Sequence, residues 1–157
     1  EGPVYLRFGR PNVPNFTPAV QKFETGKAIC MSEGTDVTIF ATGHLVWEAI
    51  NAAEALEAEG ISAEVIDIAT IKPLDEEAVI ASAKKTGAVV CAEEHNTCGG
   101  LGELVAGVLA ANAPTPMEFI NGADRFGQSG TPAELMKVYG LDADHIVEAA
   151  KKAVARK

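Results

Sequence analysis

The fold class is decided by residues 36–75, which read DVTIFATGHLVWEAINAAEALEAEGISAEVIDIATIKPLD. The short apolar runs at residues 37–41 and 63–68 are each typical of a buried β-strand. Between them, apolar residues recur at the three- and four-residue spacing of an amphipathic helix, namely Val46, Ala49, Ile50 and Ala53. Gly60 then ends the helix. We therefore predict a strand, helix, strand unit with a right-handed crossover.

The same alternation extends outward in both directions. Further strands are predicted at residues 28–31, 88–92 and 117–120. Several of these strands are apolar on both faces, which is typical of strands covered by helices on each side. The pattern predicts an α/β layered domain.

The remaining helices are marked by their ends and their apolar stripes. Carboxylates at residues 75–77 and lysines at 84–85 bracket a second helix that Gly87 ends. A third helix carries the stripe Leu101, Leu104, Val105, Val108 and Leu109. Thr131 and Glu134 form a capping box for a short helix that ends at Gly140, and Asp142 or Asp144 caps a last helix. In the first helix, Trp47 is predicted to be a core residue.

Residues 1–27 differ in kind from residues 28–157. Four prolines and two asparagines in the first part disfavour both helix and central strand, namely Pro3, Pro11, Pro14, Pro18, Asn12 and Asn15. We expect one short strand, PVYLRF at residues 3–8, followed by an extended linker. Because the chain enters this strand directly from Glu1, we expect it to be a piece of a longer protein.

Charge and composition exclude several classes of partner. The 157 residues carry 22 acidic and 13 basic side chains, a net charge of −9. Such a surface repels nucleic acid and anionic lipid, so we predict neither partner. Three cysteines (Cys30, Cys91 and Cys98) form no disulfide framework, and no signal segment or long apolar run is evident. A cytoplasmic protein with reduced thiols is predicted.

Candidate chemistry lies on the loops that leave the carboxyl ends of the strands, at residues 42–44, 67–73 and 93–96. Their convergence would bring His44 and His95 near carboxylates such as Glu94. A carboxylate raises the pKa of a neighbouring imidazole and prepares a general base or proton shuttle. The alternative is a structural or interface hydrogen-bond pair.

Two further clusters leave alternatives open. Residues 99–102 read GGLG at a helix N-terminus, which suits either anion binding by free amides or close packing against a neighbouring loop. Cys91, His95 and Cys98 are metal-ligand types, but Cys91 falls inside an apolar strand and a fourth ligand is lacking, so no metal site is predicted.

The glycine-rich residues 121–130 read NGADRFGQSG and show no apolar period. They hold a lone Phe126 and an adjacent Asp124 and Arg125 pair. We expect an ordered surface loop that packs on another subunit.

Three stretches together resemble a known family: residues 36–75 quoted above, EEHNTCGGLGELVAGVL at 93–109 and DRFGQSGTPAELMKVYGLD at 124–142. They are similar to the C-terminal domain of transketolase-like thiamine diphosphate enzymes, and most similar to transketolase itself, particularly the type divided into separate subunits. The resemblance implies a three-layer αβα sandwich with a five-stranded, mostly parallel sheet whose first strand is antiparallel. It also implies that residues 1–27 are the tail of a preceding pyrimidine-binding domain and a linker, and that residues 28–157 are the C-terminal domain.

For function, the resemblance implies a parent enzyme that transfers a two-carbon ketol unit between sugar phosphates. Its thiamine diphosphate and magnesium are held by other domains, so neither is expected on this chain, which is expected to be non-catalytic and to serve assembly and site closure. Arg10 resembles an arginine that contacts the substrate phosphate. His44, Glu94, His95 and Arg125 are expected to have organising or interface roles. N-terminal transketolase domains or a separate N-terminal subunit are the expected partners, within a homodimer.

Three alternatives stay open. The parent is a 2-oxoacid dehydrogenase beta subunit or a deoxyxylulose-phosphate synthase, which share the domain, or the chain is an independent module that binds nucleotides or anions through residues 99–102.

Overall fold

A computed structural model describes residues 2–9 and 12–157. These residues form five strands and five helices. Their order is β1 (Ile29–Ser32), β2 (Val37–Ala41), α1 (Leu45–Ala58), β3 (Ala63–Asp67), α2 (Glu76–Thr86), β4 (Val89–Ala92), α3 (Leu101–Asn112), β5 (Met117–Ile120), α4 (Pro132–Tyr139) and α5 (Ala143–Val154). Each predicted strand of the layered domain is present, with ends within one residue of the prediction.

The strands form one sheet in the order β1, β3, β2, β4, β5. β1 pairs with β3 in the antiparallel sense, and the other three pairs are parallel. The expected five-stranded sheet with an antiparallel first strand is therefore confirmed. β2 lies at the centre and all five of its residues are buried, Thr38 included, as expected for a strand that is apolar on both faces.

Two apolar cores lie on opposite faces of the sheet. On one face, Val37, Ile39 and Val90 pack with residues of α1 and α5. On the other face, Phe40 and Cys91 pack with residues of α2 and α3. Side chains alternate between the faces because the strand period is two. The three-layer αβα sandwich is confirmed.

The ends of the helices follow the sequence signals. The Asp75 carboxylate accepts a hydrogen bond from the Ala78 amide at the start of α2. α2 ends at Gly87, whose φ of 71° lies in the left-handed region that glycine tolerates. Both halves of the predicted capping box are present at Thr131 and Glu134. Of the two candidate caps for α5, Asp142 is the one that forms.

Two predicted core positions differ from expectation. Leu104 is 42% exposed, and Trp47 is half-buried. Trp47 instead stacks on Phe16 of the preceding segment, with ring centroids 6.2 Å apart. Periodicity identifies the apolar side of a helix, but the neighbouring elements decide how much of that side is covered.

The predicted strand at residues 3–8 is wrong. Residues 2–9 lie in no strand, and four of their apolar side chains are between 79% and 89% exposed: Val4, Tyr5, Leu6 and Phe8. A strand needs the ladder of a neighbouring strand, and the described part of the chain offers none beside this segment. We call residues 2–9 the N-terminal arm. Arg10 lies outside the described residues.

Within the two described ranges, no helix is long and apolar enough to cross a bilayer.

Candidate functional site

The carboxyl edge of the sheet has its topological switch point between β2 and β4. These strands are neighbours, yet the chain leaves β2 toward α1 on one face and leaves β4 toward α3 on the other. Ligands of open α/β sheets gather at such a point. The two loops place His44 opposite Glu94, with 3.6 Å between His44 Nδ1 and Glu94 Oε2. The predicted convergence is therefore confirmed for this pair.

A cleft of about 600 Å³ opens beside this pair. Aromatic and aliphatic side chains of α1 and α4 form its walls, including Trp47, Met136 and Tyr139. Gly9 and residues 12–14 close one side of it. The volume is within the range of small-ligand pockets. We call this space the switch-point cleft.

His95 does not join the pair. Its side chain is exposed, and its backbone carbonyl accepts a hydrogen bond from the Gly122 amide at 2.8 Å. Among the described residues, the histidines with a carboxylate partner are His44 and His145. The expectation of two imidazoles beside carboxylates at this edge is wrong for His95. Its backbone organises the loop instead.

Glu93 is the residue that the sequence reasoning missed. Its side chain is 2% exposed, although it follows β4 directly. One carboxylate oxygen accepts from the Leu101 amide at 2.7 Å and the other from the Gly102 amide at 2.8 Å. A buried carboxylate thus fills the positive end of α3, where anions are favoured. A glutamate between a buried strand and a glycine-rich helix start is the signal that would have identified this cap.

The glycines of residues 99–102 make room for this carboxylate. A Cβ at Gly100 would lie 2.3 Å from Glu93 Oε2, which no real side chain tolerates. Two alternatives were open for residues 99–102, namely anion binding and close packing. The structure shows close packing, and the group that packs against the glycines is the chain's own Glu93 carboxylate. Because that carboxylate already uses the amides, the helix end offers no cradle for a diphosphate. The described residues here therefore do not fit thiamine diphosphate.

The loop at residues 121–130 is held to its surroundings by its charged side chains. Asp124 Oδ1 accepts from Asn96 Nδ2 at 2.6 Å. The Arg125 guanidinium instead lies over the Tyr139 ring, 4.7 Å from its centroid, and donates to the Val138 carbonyl at 3.5 Å. The side chains of Asp124 and Arg125 thus have different partners, on opposite sides of the loop.

One of the three cysteines is buried and the other two are exposed. Cys91 is buried between the sheet and α3, and burial, with the charge of Glu93 second, raises the pKa of its thiol. Cys30 and Cys98 are exposed. A neutral buried thiol is neither a nucleophile nor a ready metal ligand.

Cys30 lies near Glu33 and Glu64, with potential ligand atoms within 4.8 Å of one another. The Lys85 ammonium already donates to both carboxylates, to Glu33 at 2.9 Å and to Glu64. One of the two negative charges that a metal ion would neutralise is therefore already balanced by this lysine, which contacts both carboxylates.

Comparison with known proteins places these features in context. The family model for the transketolase C-terminal domain matches residues 26–146. The chain is 46% identical over all 157 residues to a 6-deoxy-6-sulfo-D-fructose transketolase subunit of Clostridium sp. (strain MSTE9), and covers 49% of that protein. It is 39% identical over 155 residues, 98% of the chain, to an apulose-4-phosphate transketolase subunit of Phocaeicola vulgatus, and covers 49% of it.

The fold is also similar to that of a solved structure, described as a split gene transketolase, inactive beta4 tetramer. The TM-score is 0.88 with 46% sequence identity, over 91% of this chain and 47% of that one. This chain thus spans about half the length of the relatives that it matches.

Proposed function

Because the chain belongs to the transketolase C-terminal domain family, we propose that it is the C-terminal domain of a split transketolase that transfers a two-carbon ketol unit between sugar phosphates. The observation that carries this proposal is the identity, over the whole chain, to a subunit named as a transketolase of a sulfonated sugar. We propose that residues 1–27 are the tail of a pyrimidine-binding domain and a linker, and that residues 28–157 are the C-terminal domain.

In this proposal the chain itself does not catalyse. Thiamine diphosphate and magnesium are held by other domains, which is supported by the poor fit of the α3 N-terminus, already filled by Glu93, to a diphosphate. The chain contributes a rigid sheet edge on which His44, Glu94 and the His95 backbone organise the loops that close the site. Arg125 holds the loop at residues 121–130 toward an interface.

The proposed partners are an N-terminal transketolase subunit and a second copy of this chain. The apolar, exposed N-terminal arm supports the first, because its side chains have no cover among the described residues. We place the enzyme in the cytoplasm, which the reduced cysteines favour.

The experiment combines the purified chain with a candidate N-terminal subunit from the same organism, thiamine diphosphate and Mg²⁺. We expect ketol transfer from a ketose phosphate to an aldose phosphate by the mixture, and none by the chain alone. Ketol transfer by the chain alone would contradict the non-catalytic role. A mixture that condenses pyruvate with an aldehyde phosphate would identify a deoxyxylulose-phosphate synthase instead, and one that decarboxylates 2-oxoacids would identify a dehydrogenase.

Arg10 is proposed to contact the substrate phosphate in the assembled enzyme, on the strength of the family resemblance. We expect Arg10→Gln to raise the KM for the sugar phosphate at least tenfold, because one charge-assisted contact is lost, with a smaller change in kcat. Arg7→Gln, three residues earlier on the arm, is the matched control. Equal KM values for the two variants would show that Arg10 does not contact the substrate phosphate.

A further inference from the structure

Phe16 is the one residue of the described stretches 2–9 and 12–25 that is not exposed. Its ring stacks on Trp47, with 24° between the ring planes, and packs against the core that α1 and α5 form with the sheet. Phe23, the other phenylalanine of residues 12–25, is 65% exposed. The contact with the domain is therefore made by one ring in particular.

The chain is next fixed to the domain at Gly26. Its amide donates a hydrogen bond to Thr70 Oγ1 at 3.0 Å, in the loop that follows β3. The backbone hydrogen bond between these two points, from the Gln21 amide to the Pro18 carbonyl, holds a local turn. We call residues 12–26 the strap. It runs along the carboxyl edge of the sheet from the loop after β3 to α1, and the stacked ring is its attachment at the α1 end.

Two prolines flank the attached ring, Pro14 two residues before Phe16 and Pro18 two residues after it. Each proline fixes its own φ and disfavours the helical region for the residue that precedes it. The segment around Phe16 therefore has few alternative conformations, and it loses less entropy when it docks than an unrestricted segment would. A single aromatic contact is then able to hold the strap, and a single contact is also easily broken.

The docked strap closes one side of the switch-point cleft. Val13 and Pro14 line the cleft, as do His44 and Glu94 on the loops after β2 and β4. Val13 and Pro14 precede Phe16 by only three and two residues, so the docked ring keeps them at the cleft. Closure on this side therefore depends on the Phe16 contact.

We propose that Phe16 is a releasable anchor: docked on Trp47, it holds the strap across the switch-point cleft, and undocked, it frees the strap and opens the cleft on that side while the domain stays folded. Every buried hydrophobic residue of the described chain lies at position 37 or later, so the core does not need the strap. Because the contact lies wholly within this chain, it is independent of the reaction that the assembled enzyme performs.

The first test uses Trp47, the only tryptophan of the chain, as the reporter. Acrylamide quenching of its fluorescence is measured in the full 157-residue chain. We expect Phe16→Ala to raise the quenching constant roughly twofold, because one face of the indole loses its stacked neighbour. Phe23→Ala removes an exposed ring from the same segment and is the matched control, expected to leave quenching unchanged. Phe16→Tyr keeps the ring and should also behave as the unmodified chain.

The second test measures the order of the strap by the ¹⁵N–¹H NOE of its backbone amides, which falls when an amide moves on the picosecond to nanosecond timescale. In the unmodified chain and in Phe23→Ala, we expect amides 15–25 to be more ordered than those of the N-terminal arm. In Phe16→Ala, we expect them to fall to the values of the arm. Amide hydrogen exchange in β2 should stay the same in all of these variants.

Four results would overturn the proposal. The unmodified chain has strap amides as mobile as those of the arm, or Phe16→Ala leaves both the quenching and the NOE values unchanged. Phe23→Ala releases the strap as fully as Phe16→Ala does, so the segment is held by its general apolar character rather than by the stack. Phe16→Ala accelerates exchange in β2, so the ring is part of the fold and not a releasable anchor.

Discussion

Two adjacent glutamates show how burial separates residues of one type. Glu93 is buried and accepts two amide hydrogen bonds, whereas the side chain of Glu94 is 61% exposed beside His44. We expect Glu93→Gln to lower the free energy of unfolding by about 2–3 kcal/mol, because only one amide oxygen remains to accept and the new NH₂ faces a backbone N–H. Urea unfolding followed by circular dichroism measures it. Glu94→Gln is the control, expected to change stability by less than about 0.5 kcal/mol, and equal losses would contradict the account.

Lys85 neutralises a carboxylate under α2. Glu64 is buried and also accepts from the Thr38 hydroxyl at 2.9 Å. Hydrogen bonds to Glu64, and secondarily to Glu33, raise the pKa of Lys85, so the ammonium stays charged.

We expect Lys85→Met to cost about 2 kcal/mol of unfolding free energy, because Glu64 is left buried without its cation. The cost is below the roughly 3–5 kcal/mol of fully buried pairs, since the Lys85 side chain is 39% exposed and solvent screens it. Thermal unfolding measures the stability of Lys85→Met beside that of Lys84→Met. Lys84 is the exposed neighbour, and its replacement should hardly change the unfolding free energy. A Lys84→Met variant as unstable as Lys85→Met would refute the pairing.

His145 gives the fold a pH dependence at the start of α5. Its Nδ1 lies 2.5 Å from Asp142 Oδ1, and this hydrogen bond is the main cause that raises the pKa of the imidazole, with Asp142, Glu148 and Asp144 adding charge. A raised folded-state pKa stabilises the fold fully below the ordinary value near 6.5, and this stabilisation is lost as the pH rises through the raised pKa.

We therefore expect the His145 contribution, below about 1 kcal/mol because the ring is largely exposed, to be present at pH 5.5 and absent at pH 9. Asp142→Asn keeps the helix cap and removes the charge, so it should lower the imidazole pKa in an NMR titration. An unchanged titration of His145 in Asp142→Asn would disprove the coupling.

At the scale of elements, α4 depends on its ends more than on its packing. None of its residues is fully buried, but its Thr131 and Glu134 capping box is complete. We expect Thr131→Ala to lose about 1 kcal/mol of local stability. Amide hydrogen exchange in α4 should become about fivefold faster, while β2 and β4 exchange as before. Ser129→Ala, just outside the helix, is the control, and equal exchange in both variants would show that the cap does not hold α4.

Loss of the capping box would also loosen the switch-point cleft, because Met136 and Tyr139 of α4 form part of its wall. An element that is held by a cap and a few side chains opens more easily than one that is held by a core. The exposed wall of the switch-point cleft is therefore its most adaptable side.

At the scale of the whole molecule, the two faces of the sheet are closed and the carboxyl edge is open. Residues of α1 and α5 cover one face and residues of α2 and α3 the other, so the core is complete in itself. Among the described residues, the most exposed large apolar side chains are those of the N-terminal arm, Val20 and Phe126. The N-terminal arm is where we propose that an N-terminal subunit binds, because contiguous exposed apolar groups mark interfaces.

The sequence by itself determined the order of strands and helices and their ends. Apolar runs such as residues 37–41, and end signals such as Gly87 and the Thr131 capping box, depend on neighbours within a few residues, so they can be read locally. The family resemblance added the antiparallel first strand, which periodicity does not encode.

Only the tertiary structure decided which charged groups meet. Glu93 accepts hydrogen bonds from amides eight and nine residues later in the chain. Lys85 pairs with Glu64, and Arg125 lies over the Tyr139 ring rather than beside its neighbour Asp124. The strand expected at residues 3–8 failed for the same reason, because a strand exists only when another strand lies beside it. Local periodicity specifies what a segment is able to form, and burial and long-range contacts specify what it does form.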